Sequence, residues 1–245
     1  MVLGLDFDGT LAPIVVDPSQ ARADPQTLAL LQQLASRLLK LAIISGRDTD
    51  LLSDRLPIER ALLIGNHGLE EWRDGASSLS AQAEPFAGGL ERAIAALNKL
   101  PPARKDGVHV EAKRASVSVH FREAEDPQVI GPELERALRP LAKKERLRLN
   151  AGRYLWELRP AIEVDKGTVV TGLAASLKPD ALIYVGDDVT DADAFRALRL
   201  LHGVKTLAVG VRSAEVPSET FANCDLEVDG VEGVKTFLRD LLAIG

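Results

Sequence analysis

The sequence predicts an α/β protein: a parallel sheet covered by helices on both faces, interrupted by a smaller inserted α/β domain. Three observations carry this. Apolar runs of four to six residues recur toward both ends of the chain and are apolar at consecutive positions, the mark of strands buried on two faces. Amphipathic segments of helix length separate them. In the middle, residues 108–122 and 153–159 instead alternate at period two, which marks strands with one wet face.

In chain order, Val2–Leu5 reads as the first strand, Thr27–Leu39 as a helix, Leu41–Ile44 as a strand, Asp48–Arg55 as a helix and Ala61–Ile64 as a strand. The segment 86–99 (FAGGLERAIAALNK) reads as a helix that stops before Pro101-Pro102. Along 108–122, Val108, Val110 and Ala112 face one way and His109, Glu111 and Lys113 the other. Next in this stretch, Val117, Val119 and Phe121 oppose Ser116, Ser118, His120 and Arg122. A helix over about 133–144 and a strand Arg153–Arg159, with Glu157 and Arg159 on one side, complete the insert. The core pattern returns with a helix Thr168–Leu177, a strand Ala181–Val185, a helix Ala192–Leu201 and strands at Lys205–Val209 and Leu226–Val228. Hinges are expected at the small-residue stretch Gly75–Ala83 and at the turn around Pro160. The core is therefore 1–84 with 161–245, and the insert 85–160.

Composition bounds the function. The 245 residues are 46% hydrophobic and 27% charged, the balance of a globular chain. Six Phe, two Trp and two Tyr leave Leu, Ala and Val to fill the core. The single cysteine, Cys224, excludes an intrachain disulfide and most cysteine metal sites. A net charge of -6 argues against a nucleic-acid partner. With neither a basic leader region nor an apolar stretch near 18 residues, the expectation is no membrane association and a cytoplasmic monomer or weak oligomer. Residues 71–164 carry 16 Lys/Arg and 14 Asp/Glu, net +2, against -8 for the remainder. That asymmetry suits an anionic substrate held between a basic insert and an acidic, metal-bearing core.

The first strand runs into Asp6-Phe7-Asp8-Gly9-Thr10. Asp is depleted in strands, and two at i and i+2 place both carboxylates on one side. A second acidic group, Gly186-Asp187-Asp188-Val189-Thr190-Asp191, follows another buried strand. Capping explains single members: one Asp at a strand end, or Thr190 or Asp191 at the start of the next helix. It does not explain two clusters, which in an open α/β sheet converge beyond the strand C-termini. Crowded carboxylates need a cation, and oxygen ligands point to Mg2+ before Ca2+. Asp6, Asp8, Asp187 and Asp188 are the candidate metal ligands. Ser45-Gly46-Arg47 follows the strand Leu41–Ile44 and Lys166 opens the helix Thr168–Leu177; alone they read as a serine cap and a solvated lysine, together as phosphate-binding groups. The chemistry these residues suit is phosphoryl transfer: Asp6 attacks phosphorus, Asp8 acts as acid and base, and Ser45 and Lys166 hold the phosphoryl oxygens.

This ordered set resembles the haloacid dehalogenase superfamily of aspartate-nucleophile phosphatases, through DFDGT (6–10), Ser45, Lys166 in DKG and GDD (186–188). Its finer features are similar to the trehalose-6-phosphate phosphatase family: DFDGTLAP (6–13), SGR (45–47), GNHGLE (65–70), VEAKRASVSVHFR (110–122), WELRPAIEVDKG (156–167) and GDDVTDADAF (186–195). Ala192 and Phe121 depart from that pattern, where an acidic residue and Tyr are usual; Phe121 removes a sugar hydroxyl contact. The resemblance implies a Rossmann-like core with a mixed α/β cap and Mg2+-dependent hydrolysis of trehalose 6-phosphate. It implies Asp6 as nucleophile, Asp8 as acid/base that ligates the metal through its carbonyl, Asp187 as the other ligand, and Asp188 and Asp191 in support or as an alternate ligand. Substrate contacts are then expected from Gly9, Thr10, Gly46, Arg47, His67 and Asp191, and from Glu111, Lys113, His120, Arg122, Glu157 and Arg159 on the insert's polar face. Such groups discriminate between sugars because a mismatched one leaves them unpaired. Rival readings are a phosphatase for sucrose 6-phosphate or mannosyl-3-phosphoglycerate, a phosphosugar mutase, and a non-catalytic sensor.

Overall fold

The computed structural model describes residues 1–15, 20–152, 154–213 and 216–244. Arg153, where the expected strand 153–159 begins, lies outside them. In chain order the elements are β1 (Val2–Leu5), α1 (Pro25–Arg37), β2 (Lys40–Ile44), α2 (Thr49–Arg55), β3 (Leu62–Gly65), β4 (Glu70–Arg73), β5 (Ala76–Leu79) and α3 (Ala87–Leu97). They continue with β6 (His109–Ala112), β7 (Val117–His120), α4 (Pro127–Lys144), β8 (Leu147–Gly152), β9 (Leu155–Pro160) and α5 (Lys166–Leu177). The last are β10 (Ala181–Gly186), α6 (Asp191–Leu200), β11 (Lys205–Arg212), β12 (Leu226–Asp229) and α7 (Gly230–Ile244). Contacts divide the chain into Met1–Ser77 with Val164 onward, and Ser78–Glu163. Among the described residues no helix is long and apolar enough to cross a membrane.

The first unit is built on a sheet of order β12-β11-β10-β1-β2-β3-β4-β5. Its pairs from β12 to β3 are parallel, while β4 runs antiparallel to β3. Side-chain parity sorts the core. Leu3, Leu5, Leu41, Ile43, Ile183 and Val185 pack with Leu31 and Leu34 of α1, Leu52 of α2 and Leu238 of α7. Val2, Ala42, Ile44, Leu182 and Tyr184 pack with Val170 of α5 and Phe195 and Leu198 of α6 on the opposite face. Both faces are thus covered, which is why these strands are apolar at every position. The chain leaves β1 toward one face and β10 toward the other, so the crevice beyond these adjacent strands is the topological switch point.

The second unit carries an antiparallel sheet, β6-β7-β9-β8. Its apolar face, with Val117, Val119 and Leu158, packs on Leu90, Ala93 and Leu97 of α3 and Leu134 and Leu138 of α4. The registers place Glu111, Ser118, Glu157 and Asn150 across the other face. The structure amends the expectation for Gly75–Ala83, where Ala76–Leu79 is strand β5 rather than hinge alone. It places the divisions at Ser77/Ser78 and Glu163/Val164, beside the expected 84/85 and 160/161. Helix α4 starts six residues before 133, because Asp126 caps the N–H groups of Gln128 and Val129 and Pro127 is preset for a first turn.

Helix α1 shows local chemistry and packing acting together. Asp24 accepts from Gln26 N and Thr27 N at 2.8 and 3.2 Å, Pro25 opens the helix, and the buried Thr27, Leu31, Leu34 and Ala35 line one stripe. The Asp24 carboxylate also meets Lys235 of α7 at 3.1 Å, tying the two helices. Partial burial pushes its pKa up, but the Thr27 hydroxyl, Lys235 and the two backbone N–H groups outweigh that and hold it at about 2. An unfolded Asp titrates near ~4, so this stabilisation is complete above that pH and is lost as pH falls toward 2. Asp24→Ala is expected to cost about 1 kcal/mol at pH 7 in urea denaturation. The penalty should shrink below about pH 4, and an equal penalty at pH 3 would contradict the linkage.

Candidate active site

Asp6 follows strand β1, and its N–H donates to Val185 O of β10 at 2.9 Å, so the first acidic loop is pinned to the second. Phe7 points into the core with no exposure, leaving Asp6 and Asp8 on the other side of the chain. The loop then tightens: Gly9 N donates to Ala12 O at 2.7 Å, and Leu11 N and Ala12 N both donate to Phe7 O. Gly9 stands at φ 74°, and a Cβ there would lie 2.0 Å from Asp187 Oδ2. Only glycine permits this approach of the two acidic loops.

Three carboxylates converge. Oxygens of Asp6, Asp187 and Asp191 all lie within 4.8 Å of one another, and each residue is buried. Lys166, 2% exposed at the start of α5, donates to Asp191 Oδ1 at 2.6 Å and meets Asp6 Oδ1 at 3.0 Å. Asp191 also accepts from the Tyr184 hydroxyl at 2.6 Å and from the N–H groups of Asp187 and Asp188 at 3.0 and 2.9 Å. Thr10 Oγ1 donates to Asp187 Oδ1 at 3.1 Å. Burial pushes the Asp6 carboxyl well above the usual range against the pull of Lys166, and Asp191 and Asp187 push it further. Asp187 is raised to about 7 by burial and by Asp191. Lys166 resists its own desolvation and is driven upward by Asp6 and Asp191, so it stays charged.

One buried ammonium cannot balance three buried carboxylates. An all-oxygen donor set with excess negative charge fits a hard divalent cation of the magnesium type. Of the expected ligands, Asp6 and Asp187 lie in the cluster. Asp188 is exposed, its Oδ1 accepting from Val189 N at 2.6 Å, and stands outside the cluster. The Asp8 carboxylate is engaged by Arg47, Nε to Oδ2 and Nη2 to Oδ1 at 2.7 Å each. Asp191, expected at the substrate or in support of the metal ligands, has no exposure and accepts from four internal donors. Thr10, also expected there, is equally buried and orients Asp187.

A cavity of about 380 Å3 opens over this cluster. Asp6, Asp8, Ser45, Gly46, His67, Lys166, Asp187, Asp188 and Thr190 line it, with Ile14 and Val216 as apolar wall. Ser45 is 1% exposed, and its hydroxyl accepts from Arg47 N at 3.2 Å. Arg47 turns to Asp8 rather than lining the cavity. In the second unit, His120 Nε2 meets Glu111 Oε2 at 3.0 Å and Lys113 Nζ meets Glu111 Oε1 at 3.8 Å. Arg122 lies 5.5 Å from the Tyr154 ring centroid, while Glu157 sits opposite Ser118 and Arg159 opposite Arg148. Sequence reasoning missed Tyr184: a tyrosine in an otherwise apolar buried strand, one residue pair before the acidic loop, was the available signal.

The sequence model described as trehalose-phosphatase matches residues 4–229. A trehalose-phosphate phosphatase of Mycobacterium marinum is 37% identical over 223 residues, covering 86% of this chain and 53% of that protein. A protein of Oryza sativa subsp. japonica named "Probable trehalose-phosphate phosphatase 9" is 33% identical over 269 residues, covering 99% of this chain and 70% of that one. The chain thus spans about half the length of the first relative and more of the second. The solved trehalose-6-phosphate phosphatase of Aspergillus fumigatus superposes with a TM-score of 0.68 at 26% identity, covering 100% of this chain and 93% of that one.

The unbalanced charge has a measurable consequence. A carboxyl raised to about 7 in the folded state binds its proton more tightly than in the unfolded chain, so in EDTA it withdraws stability as pH climbs from about 4 through 7. Asp187→Asn is expected to remove that slope and to melt on the order of 5 °C above wild type at pH 8, the two converging near pH 4. Added Mg2+ should raise the wild-type Tm and leave the variant largely unmoved; equal Mg2+ shifts in both would count against the cluster as an ion site.

Proposed function

The chain belongs to the trehalose-phosphatase family, and on that premise we propose that it hydrolyses trehalose 6-phosphate to trehalose and inorganic phosphate through a phosphoryl group carried on Asp6. The observation that carries the reading is the buried Asp6 carboxylate, held by Lys166 beside Asp187 and Asp191 at the base of the cavity.

The chemistry assigned to each residue follows from its surroundings. Asp6, desolvated and oriented by Lys166, attacks phosphorus in line; the new bond joins its oxygen to phosphorus and the ester bond to the sugar oxygen breaks. Asp8, on the same side of the chain and only partly buried, gives the leaving alkoxide a proton. It then takes one from the water that cleaves the acyl-phosphate, which returns Asp6 as carboxylate. Before either transfer, Asp8 must release the Arg47 fork seen here. Ser45, Gly46 and Lys166 bind phosphoryl oxygens from the cavity wall. Asp6, Asp187 and the Asp8 carbonyl would hold Mg2+, which supplies Lewis-acid neutralisation of phosphoryl charge when bound. On this reading the Ser78–Glu163 unit recognises the sugar, with Glu111, Lys113, His120, Arg122, Glu157 and Arg159 presenting donors and acceptors to its hydroxyls.

Phosphate release from trehalose 6-phosphate, sucrose 6-phosphate and mannosyl-3-phosphoglycerate, each with Mg2+ and with EDTA, tests the substrate and the metal. Trehalose 6-phosphate is expected to be turned over at least tenfold more efficiently than the others, and only with Mg2+. Comparable kcat/KM for all three would remove the sugar assignment, and sugar isomerisation without free phosphate would indicate a mutase. Asp6→Asn should lower kcat by ~10^4-fold or more while still binding substrate; near-normal turnover would refute Asp6 as nucleophile.

A further inference from the structure

We infer that Glu70 is a positioning residue that, through Asn66 and Thr49, fixes the His67 imidazole against the phosphate-binding wall of the cavity. The inference deepens the sugar-phosphatase reading and rests on it for the identity of the ligand.

Three consecutive residues, Asn66, His67 and Gly68, stand in the left-handed region at φ 47°, 55° and 109°. Glycine adopts this freely; for Asn and His it costs about 1 kcal/mol or more each and persists only where the surroundings enforce it. They do so here from three sides. Asn66 N donates to Arg47 O at 2.8 Å and His67 N to Ser45 O at 2.9 Å, so this turn is stitched to the Ser45–Arg47 loop. A Cβ on Gly65 would lie 2.6 Å from Arg47 O, and one on Gly68 2.5 Å from Val164 Cγ1, so neither side has slack. Behind both loops sits Glu70, 1% exposed at the start of β4. Its Oε1 accepts from Asn66 Nδ2 at 2.6 Å and its Oε2 from Thr49 N at 3.2 Å. One buried carboxylate thus clamps the left-handed turn to the first residue of α2.

The turn delivers the ring. His67 Nε2 would lie 2.7 Å from a Cβ on Gly46, so the imidazole rests over the Ser45-Gly46 peptide and lines the cavity with Asp6 and Lys166. An N–H donor there meets a phosphoryl oxygen or the ester oxygen of the bound sugar phosphate. The peptide geometry braced by Glu70 sets where the ring stands at the cavity wall. Loss of the clamp therefore weakens binding more than it slows the chemical step.

Asn66→Gly is the decisive variant, since it deletes the hydrogen bond to Glu70 yet adopts φ 47° without strain; Glu70→Ala deletes both arms. With trehalose 6-phosphate the KM of Asn66→Gly is expected to rise about tenfold with kcat within about threefold. In a His67→Ala background Asn66→Gly should add no further loss. A second arm needs no turnover: inorganic phosphate titrated into protein labelled at histidine should shift the His67 ring resonances, with about tenfold weaker binding in Asn66→Gly. Wild-type KM and phosphate affinity in Asn66→Gly, or effects that add in full to those of His67→Ala, would overturn the inference. If the wild-type chain releases no phosphate from trehalose 6-phosphate, the substrate reading fails and the phosphate titration alone decides the role of Glu70. Should Glu70→Ala not fold, Asn66→Gly decides by itself.

Discussion

One buried ammonium, Lys166, pairs with two of three buried carboxylates that repel one another. Moving such charges out of water is costly, and attraction repays that cost only where geometry is tight and remaining lone pairs are filled. Asp191 meets the condition with four donors, including the Tyr184 hydroxyl and two backbone N–H groups. Asp6 and Asp187 do not, and their carboxyls are displaced upward as a result. The site is therefore a place of stored electrostatic tension, and its oxygen donor set fits a hard cation.

The sheet makes that tension possible. Strands β1 and β10 are neighbours in register, with Leu5 opposite Val185, and their helices leave to opposite faces. Their C-terminal loops have nowhere to go but the same crevice. Gly9 then lets the loops approach to a distance that any side chain would block. Leu3 and Leu5 pack on one face and Val2 and Tyr184 on the other, so the crevice edges rest on close-packed core.

A second layer of control lies one strand over. The loops after β2 and β3 are joined backbone to backbone, Asn66 to Arg47 and His67 to Ser45, and Glu70 braces them from behind. Left-handed backbone at two non-glycine residues is tolerated because several hydrogen bonds specify it at once. The carboxylate cluster concentrates charge, and this clamp fixes the shape of the neighbouring cavity wall.

Much of this was legible in the chain itself. Consecutive apolar residues in Leu41–Ile44 and Ala181–Val185 mark doubly covered strands, because period-two alternation vanishes when both faces are buried. Aspartates after Leu5 and Gly186, against the grain of strand propensity, mark the chemistry for the same reason. Short elements with weak periodicity, such as β4, β5 and β8, were not legible, since four to six residues bounded by polar turns carry little signal. Nor could spacing tell which acidic residue of 187, 188 and 191 turns inward. Asp188 and Asp187 are neighbours in sequence but point apart, one to solvent and one to the cluster, while Asp191 returns on the first turn of α6 to fill the gap. Residue type and order thus determined what kind of reaction centre this chain builds. Only the three-dimensional path, through long-range contacts such as Thr10 to Asp187 and Lys166 to Asp6, decided which oxygen faces which partner, because hydrogen-bond direction depends on distances that a linear sequence does not contain.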